Sequence, residues 1–257
     1  MEGRAVVLPF LFFCIHKTYS MKKIIFIFFL ASLSFQSKAQ NIEFPSSDEL
    51  KITADLYVKD PGFPYVLLCH QARFSRGEYI ETAPKLNKLG FNCMAIDQRS
   101  GGHANNIINE TAERAKQQKK PTEYVDAEQD IRAAVDYLYK KAGKPIILVG
   151  SSYSASLVLK IANGNEKVAK VISFSPGEYI KGQSIASAAT GLNKPVFVTS
   201  SKAESADVKE LVKDVDEKHL THFIPNAAGV HGSRALWKDN PNNLEYWNAL
   251  LRFLKVK

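Results

Sequence analysis

The spacing of apolar residues changes character along the chain. Residues 42–44 and 50–58 come first, and the alternation in KITADLYV predicts a half-buried strand. Continuous apolar runs follow at 65–69, 91–96, 145–149, 168–174, 195–199 and 221–224, each bounded by polar or turn residues. Val/Ile/Leu runs without alternation are what parallel strands covered on both faces require. Between them the period becomes helical. Residues 79–89 carry Ile80, Ala83, Leu86 and Leu89, and residues 123–141 place Val125, Ile131, Ala134, Val135 and Leu138 on one side, with Thr122 as the expected N-cap. Residues 207–219 carry Val208, Leu211, Val212 and Val215, and Asn240-Pro241 opens a C-terminal helix through Leu244, Trp247, Leu250, Leu251 and Leu254. Strand and helix in alternation predict an α/β fold, a mostly parallel central sheet with helices on both faces. No internal repeat or low-complexity linker divides it, so one domain is expected.

The N-terminus follows a different pattern. Apolar runs at 5–15 and 24–35 are each shorter than the roughly 20 residues that span a bilayer. From Met21 the order is that of an export signal: Lys22 and Lys23, the run IIFIFFLASLSF, then Ser37-Lys38-Ala39 with small residues at −3 and −1 before Gln40. No Cys follows the cut, which argues against a lipid anchor. The expected organisation is an upstream extension at 1–20, a signal peptide at 21–39 and one folded domain at 40–257. The mature protein would be periplasmic or secreted and would meet a membrane only during export.

That division changes the arithmetic. The 257 residues carry a formal charge of +8, but the first 39 hold five Lys or Arg and one acid, so the remaining 218 carry +4. Their cations are mixed with acids, as at Lys119-Lys120 before Glu123, Asp126 and Glu128, so no nucleic-acid partner is expected. Cys69 and Cys93 lie inside apolar runs and read as buried small side chains, not as a disulfide. No His/Cys/Asp cluster has metal-ligand spacing and no Gly-rich phosphate loop occurs, so neither metal nor cofactor is expected.

The chemistry concentrates where the run 145–149 meets Gly150-Ser151-Ser152-Tyr153-Ser154. A serine on a tight strand-to-helix turn projects its hydroxyl above the sheet edge only if the residues two before and two after are small. Gly150 and Ser154 meet that condition around Ser152, with Ser154 in place of the second Gly of G-x-S-x-G. Such a serine needs a base to take its proton and an acid to orient the base. Among His70, His103, His219, His222 and His231, only His231 lies late in a Gly-flanked loop, Gly229-Val230-His231-Gly232, as the order Ser, acid, His demands.

With these motifs the chain resembles an α/β-hydrolase of the small, lidless, dienelactone-hydrolase-like kind. Cys69-His70-Gln71-Ala72 is similar to the family's His-Gly loop, with Gln71 replacing the Gly. Asp97-Gln98-Arg99-Ser100-Gly101-Gly102 is similar to its D-x-R-G-x-G turn, whose Asp and Arg are structural braces. The resemblance implies an oxyanion hole made by the amides of Tyr153 and Ala72, or Gln71 in the latter's place. It implies an acid after one of the later strands: Glu204, beyond the run 195–199, is favoured by spacing, with Asp207 three residues further on and Glu178, after the run 168–174, as alternatives. About twenty residues separate Phe174 from Pro195, room for a short helix over 181–190 and no cap. The polar stretch 103–120 is either a solvated excursion or a shaper of substrate entry. The expected activity is a serine hydrolase cleaving ester-type acyl bonds of a small-molecule substrate through an acyl-enzyme. The alternatives are a peptidase on the same triad and a non-catalytic binding protein that keeps the fold.

Overall fold

The computed structural model of the protein describes residues 39–255. The segments expected to be an upstream extension and an export signal lie outside the described residues, apart from Ala39. The chain forms β1 (Gln40–Pro45), β2 (Lys51–Tyr57), β3 (Tyr65–Cys69), β4 (Asn92–Ile96), β5 (His103–Ala104), β6 (Ile107–Ile108), β7 (Ile146–Ser151), β8 (Val168–Phe174), β9 (Val196–Thr199) and β10 (Leu220–Phe223). Its helices are α1 (Thr82–Lys88), α2 (Glu110–Gln117), α3 (Ala127–Ala142), α4 (Tyr153–Ala162), α5 (Ile185–Ala189), α6 (Ser205–Leu211) and α7 (Asn243–Lys255). Eight strands form one sheet in the order β1-β2-β4-β3-β7-β8-β9-β10, while β5 and β6 pair separately. From β4 to β10 every pairing is parallel; β2 joins β1 and β4 antiparallel.

The apolar runs are buried on both faces, as a covered parallel strand must be. In β3, Tyr65, Leu67 and Cys69 join the core under α3, α4 and α6, while Val66 and Leu68 join the opposite core under α1 and α7. Cys69 and Cys93 are both free and buried, and they belong to these two different faces.

The stretch 103–120 departs from the solvated excursion. Asn105 and Asn106 both take positive φ, 48° and 62°, which turns β5 into β6 with the geometry a two-residue hairpin needs. Asn109 then caps α2 by accepting from the Ala112 amide at 2.8 Å. The helix buries only Thr111, Ala112 and Ala115, residues too small to leave an apolar stripe in the sequence. It also covers β2, whose Thr53 amide donates to the Thr111 hydroxyl at 2.9 Å, so that strand is buried more than its alternation predicts.

Helix boundaries shift at the termini. The expected helix 79–89 is a 3-10 turn over Arg76–Tyr79 followed by α1, and 123–141 begins with a 3-10 turn over Tyr124–Asp126 capped by Glu123 in place of Thr122. The helix expected over 207–219 stops at Leu211, although Val212 and Val215 remain buried. Between β8 and β9 the one helix is the five-residue α5. Among the described residues no helix is long and apolar enough to cross a membrane.

Candidate active site

Six parallel strands end on one edge of the sheet, where ligand sites of such folds gather, and four of them matter most here. Each delivers one part of a constellation: β3 leads into His70-Gln71-Ala72, β7 into Ser152, β9 into Glu204 and β10 into His231. Ser152 stands between β7 and α4 with φ 58° and ψ −122°, a conformation a non-glycine residue holds only when its surroundings impose it. Its amide donates to the Phe174 carbonyl at 2.8 Å, and its carbonyl accepts from the Ser156 amide at 3.2 Å. A Cβ on Gly150 would collide with the Ser154 carbonyl, so the turn closes only over glycine there. Ser154 has a task that a second glycine could not perform. Its hydroxyl donates to the His70 carbonyl at 2.6 Å and accepts from the Gln98 side chain at 2.5 Å, tying the elbow to the loop after β3.

The structure brings Ser152, His231 and Glu204 together. His231 Nε2 lies 2.8 Å from Ser152 Oγ, and its Nδ1 lies 2.5 Å from Glu204 Oε1. The other oxygen of that carboxylate accepts from the Ser201 amide at 3.0 Å, the Ser201 hydroxyl at 2.8 Å and the Ser175 hydroxyl at 2.9 Å. Burial by itself would raise the Glu204 carboxyl, but the hydrogen bonds from His231, Ser201 and Ser175 outweigh it and lower the group to about 2. An ionised partner on Nδ1 holds the proton there and leaves Nε2 to accept from the serine.

The alternative acids sit elsewhere. Glu178 and Asp207 line the same cavity as Glu204, of about 460 Å³, without reaching the imidazole. Glu178 accepts from the Ile185 and Ala186 amides at 2.7 and 2.9 Å, capping α5. Asp207 is exposed in the first turn of α6, where an acid favours the helix dipole. His219 precedes β10 at the opposite edge of the sheet, and His222 pairs across from Val198 within it.

On the oxyanion side, His70 is fully buried and pushed down to about 4 by desolvation, so it is neutral. Its Nδ1 lies 2.8 Å from the Gln71 carbonyl, and its Nε2 accepts from the Gln98 amide at 3.0 Å. The Nδ1 proton therefore fixes the peptide plane whose opposite side carries the Ala72 N–H. The Gln71 amide is engaged by Glu78 Oε2 at 2.7 Å, which leaves Ala72 of the two candidate donors. Tyr153 is the first residue of α4, and an N–H in a helix's first turn has no intrahelical partner. Gln71 does not adopt a positive φ, so this loop needs no glycine at that position; the left-handed residue is Arg73, at φ 64°.

The D-x-R turn braces the edge. Arg99, 1% exposed, binds Asp130 of α3 and Asp48 of the β1–β2 turn at 2.7 and 2.9 Å, while Asp97 binds Arg76 at 2.5 Å. Ser175 has no part in the sequence expectation, yet with φ 55° it bridges Glu204 and the Gly232 amide, 2.9 Å from each. Its one sequence signal is a small polar residue directly after an apolar strand and before Pro176-Gly177. Among the described residues no cluster of His, Cys, Asp or Glu is placed to hold a metal ion.

Residues 63–224 match the family model described as serine aminopeptidase, S33, so the match holds Ser152 and Glu204 and stops short of His231. The chain belongs to this family of α/β-hydrolases. Solved structures of the same fold include the Pyrococcus furiosus esterase Pf2001, 18% identical with a TM-score of 0.63 over 85% of this chain and 92% of that one. A dienelactone hydrolase from Anabaena variabilis is 16% identical with a TM-score of 0.61, over 84% and 96% of the two chains. A 2,6-dihydroxy-pseudo-oxynicotine hydrolase is 16% identical with a TM-score of 0.62, over 88% and 71%. No curated protein matches the sequence.

Proposed function

We propose that this protein is an exported serine hydrolase that cleaves ester-type acyl bonds through an acyl-enzyme on Ser152. The observation that carries the reading is the imidazole of His231, 2.8 Å from Ser152 Oγ on one side and 2.5 Å from Glu204 on the other. As Oγ attacks the substrate carbonyl, its proton passes to His231 Nε2, and Glu204 stabilises the imidazolium without taking the proton. The carbonyl oxygen becomes an oxyanion facing the amides of Tyr153 and Ala72. Donors already aimed at that charge lower the barrier by roughly 3–4 kcal/mol each. Collapse expels the alcohol, which receives the proton from Nε2. Water, deprotonated by the same nitrogen, then attacks the acyl-serine and releases the acid.

The short α5 in place of a cap supports an open cleft and a small substrate. The structural neighbours that are esterases favour esters. The family's description as serine aminopeptidases favours a second reading, amide cleavage on the same triad. Turnover of p-nitrophenyl esters against amino-acid p-nitroanilides separates the two: the account expects ester hydrolysis that disappears in Ser152→Ala, and amide hydrolysis faster than ester hydrolysis would transfer the reading to the peptidase. Export rests on the sequence of 21–39. Mass spectrometry of the mature protein should find Gln40 at its N-terminus, and a mature chain beginning at Met1 or Met21 would overturn it.

A further inference from the structure

Glu78 is a fully buried carboxylate with no place in the triad. It belongs to the 3-10 turn Arg76–Tyr79, between β3 and α1. Oε2 accepts from the Gln71 amide at 2.7 Å and Oε1 from the Ser233 hydroxyl at 2.5 Å. The first donor lies in the loop that supplies the Ala72 N–H; the second lies two residues beyond His231. Ser233 is held again by its own amide, which donates at 2.8 Å to the hydroxyl of Ser151, the residue before the nucleophile. The backbone carbonyl of Glu78 accepts from the Trp237 indole at 2.8 Å, fastening the same turn to the segment after His231 from a second point.

Resting on the serine-hydrolase reading above, we infer that Glu78 is a positioning residue for the oxyanion hole and the base: its two oxygens hold the Ala72 loop and the His231 loop at a fixed separation. The reason is one of geometry. The Gln71 amide is one bond system away from the Ala72 amide, so a Gln71 N–H pinned by Glu78, with its carbonyl pinned by His70, leaves the Ala72 N–H one direction. The glutamate side chain is long enough to present one terminal atom to each loop, Oε2 to the Gln71 amide and Oε1 to the Ser233 hydroxyl. Burial raises this carboxyl above the ordinary glutamate value, and the donors from Ser233, Gln71 and Ser151 offset only part of that rise.

Two conservative variants separate reach from charge. Glu78→Gln keeps the length and one acceptor for the Gln71 amide, and its NH2 can donate to the Ser233 oxygen, whose hydroxyl can turn. Glu78→Asp keeps the charge but falls one methylene short of spanning both donors. Sites competent for chemistry are counted with a fluorophosphonate probe, and kcat and KM for a p-nitrophenyl ester are expressed per labelled site, with folding checked by circular dichroism. Because misplacing a catalytic group by about 1 Å costs up to about 100-fold, Glu78→Asp should lose about 10-fold or more in kcat with KM within about threefold, and Glu78→Gln should stay within about threefold of wild type. The reverse order would show that charge matters and would overturn the inference. Equal losses, or unchanged kcat per site in both variants, would overturn it too. If wild type itself is neither labelled nor active, the serine-hydrolase reading fails, a result distinct from any of these.

Discussion

The carboxylate of Glu204 is held asymmetrically, one oxygen by His231 and the other by three donors from Ser201 and Ser175. On the proposed reading it both orients the imidazole and stabilises its protonated form. Glu204→Gln should lower kcat by about 10²- to 10⁴-fold with the fold retained, since the wrong tautomer of His231 is then favoured. Asp207→Asn should leave ester turnover near wild type, and equal losses in the two variants would remove Glu204 from the triad. Stability should respond to acid as well. With its folded value lowered from 4.5 to about 2, Glu204 contributes stability that is fully present above pH 4.5 and is lost as pH falls toward 2. Denaturant titrations of wild type and Glu204→Gln should therefore differ most near neutrality and converge toward pH 2; a constant difference would deny the acid this role. Spacing beyond β9 favoured Glu204 in the sequence, while Asp207 and Glu178 stayed open as alternatives. Asp207 and Glu178 line the same cavity, and only the fold of the Ser201–Glu204 turn decides which one faces the imidazole.

The elements around the site are joined by contacts that apolar periodicity cannot display. Arg99 ties β4 to α3 and to the β1–β2 turn through Asp130 and Asp48, with the guanidinium and Asp130 both fully buried. Removing one side of such a pair leaves a buried charge uncompensated, so Arg99→Leu should cost about 3–5 kcal/mol in chemical denaturation. A loss under about 1 kcal/mol would show that the pair is solvated in solution. At the elbow, a Cβ at position 150 meets the Ser154 carbonyl, so Gly150→Ala should destabilise by about 1–3 kcal/mol and abolish probe labelling together. Retained labelling would mean that the turn opens without cost. The six apolar runs gave the strands of the parallel sheet because long Val, Ile and Leu side chains mark burial on both faces. The β5–β6 hairpin and α2 escaped notice because their structure rests on two asparagines in left-handed conformation, an Asn109 cap and buried alanines. Those are local backbone effects with no hydrophobic period.

At the scale of the whole molecule, six parallel strands end on one edge, and the segments after three of them, β7, β9 and β10, bring residues 152, 204 and 231 together despite their separation in sequence, with the loop after β3 beside the elbow. The order of the segments carried the class of protein, and the family match over residues 63–224 agrees with it. Substrate does not follow from the same order, since it depends on loop surfaces at that edge and not on the sheet. The central claim is that Ser152 is the nucleophile, and it is tested most directly by treating the mature protein with a fluorophosphonate probe and locating the adduct by peptide mass spectrometry. The account predicts one adduct per chain, on Ser152, absent from Ser152→Ala and slowed in His231→Ala. Folded wild-type protein that stays unlabelled, or an adduct on another serine that persists in Ser152→Ala, would contradict it.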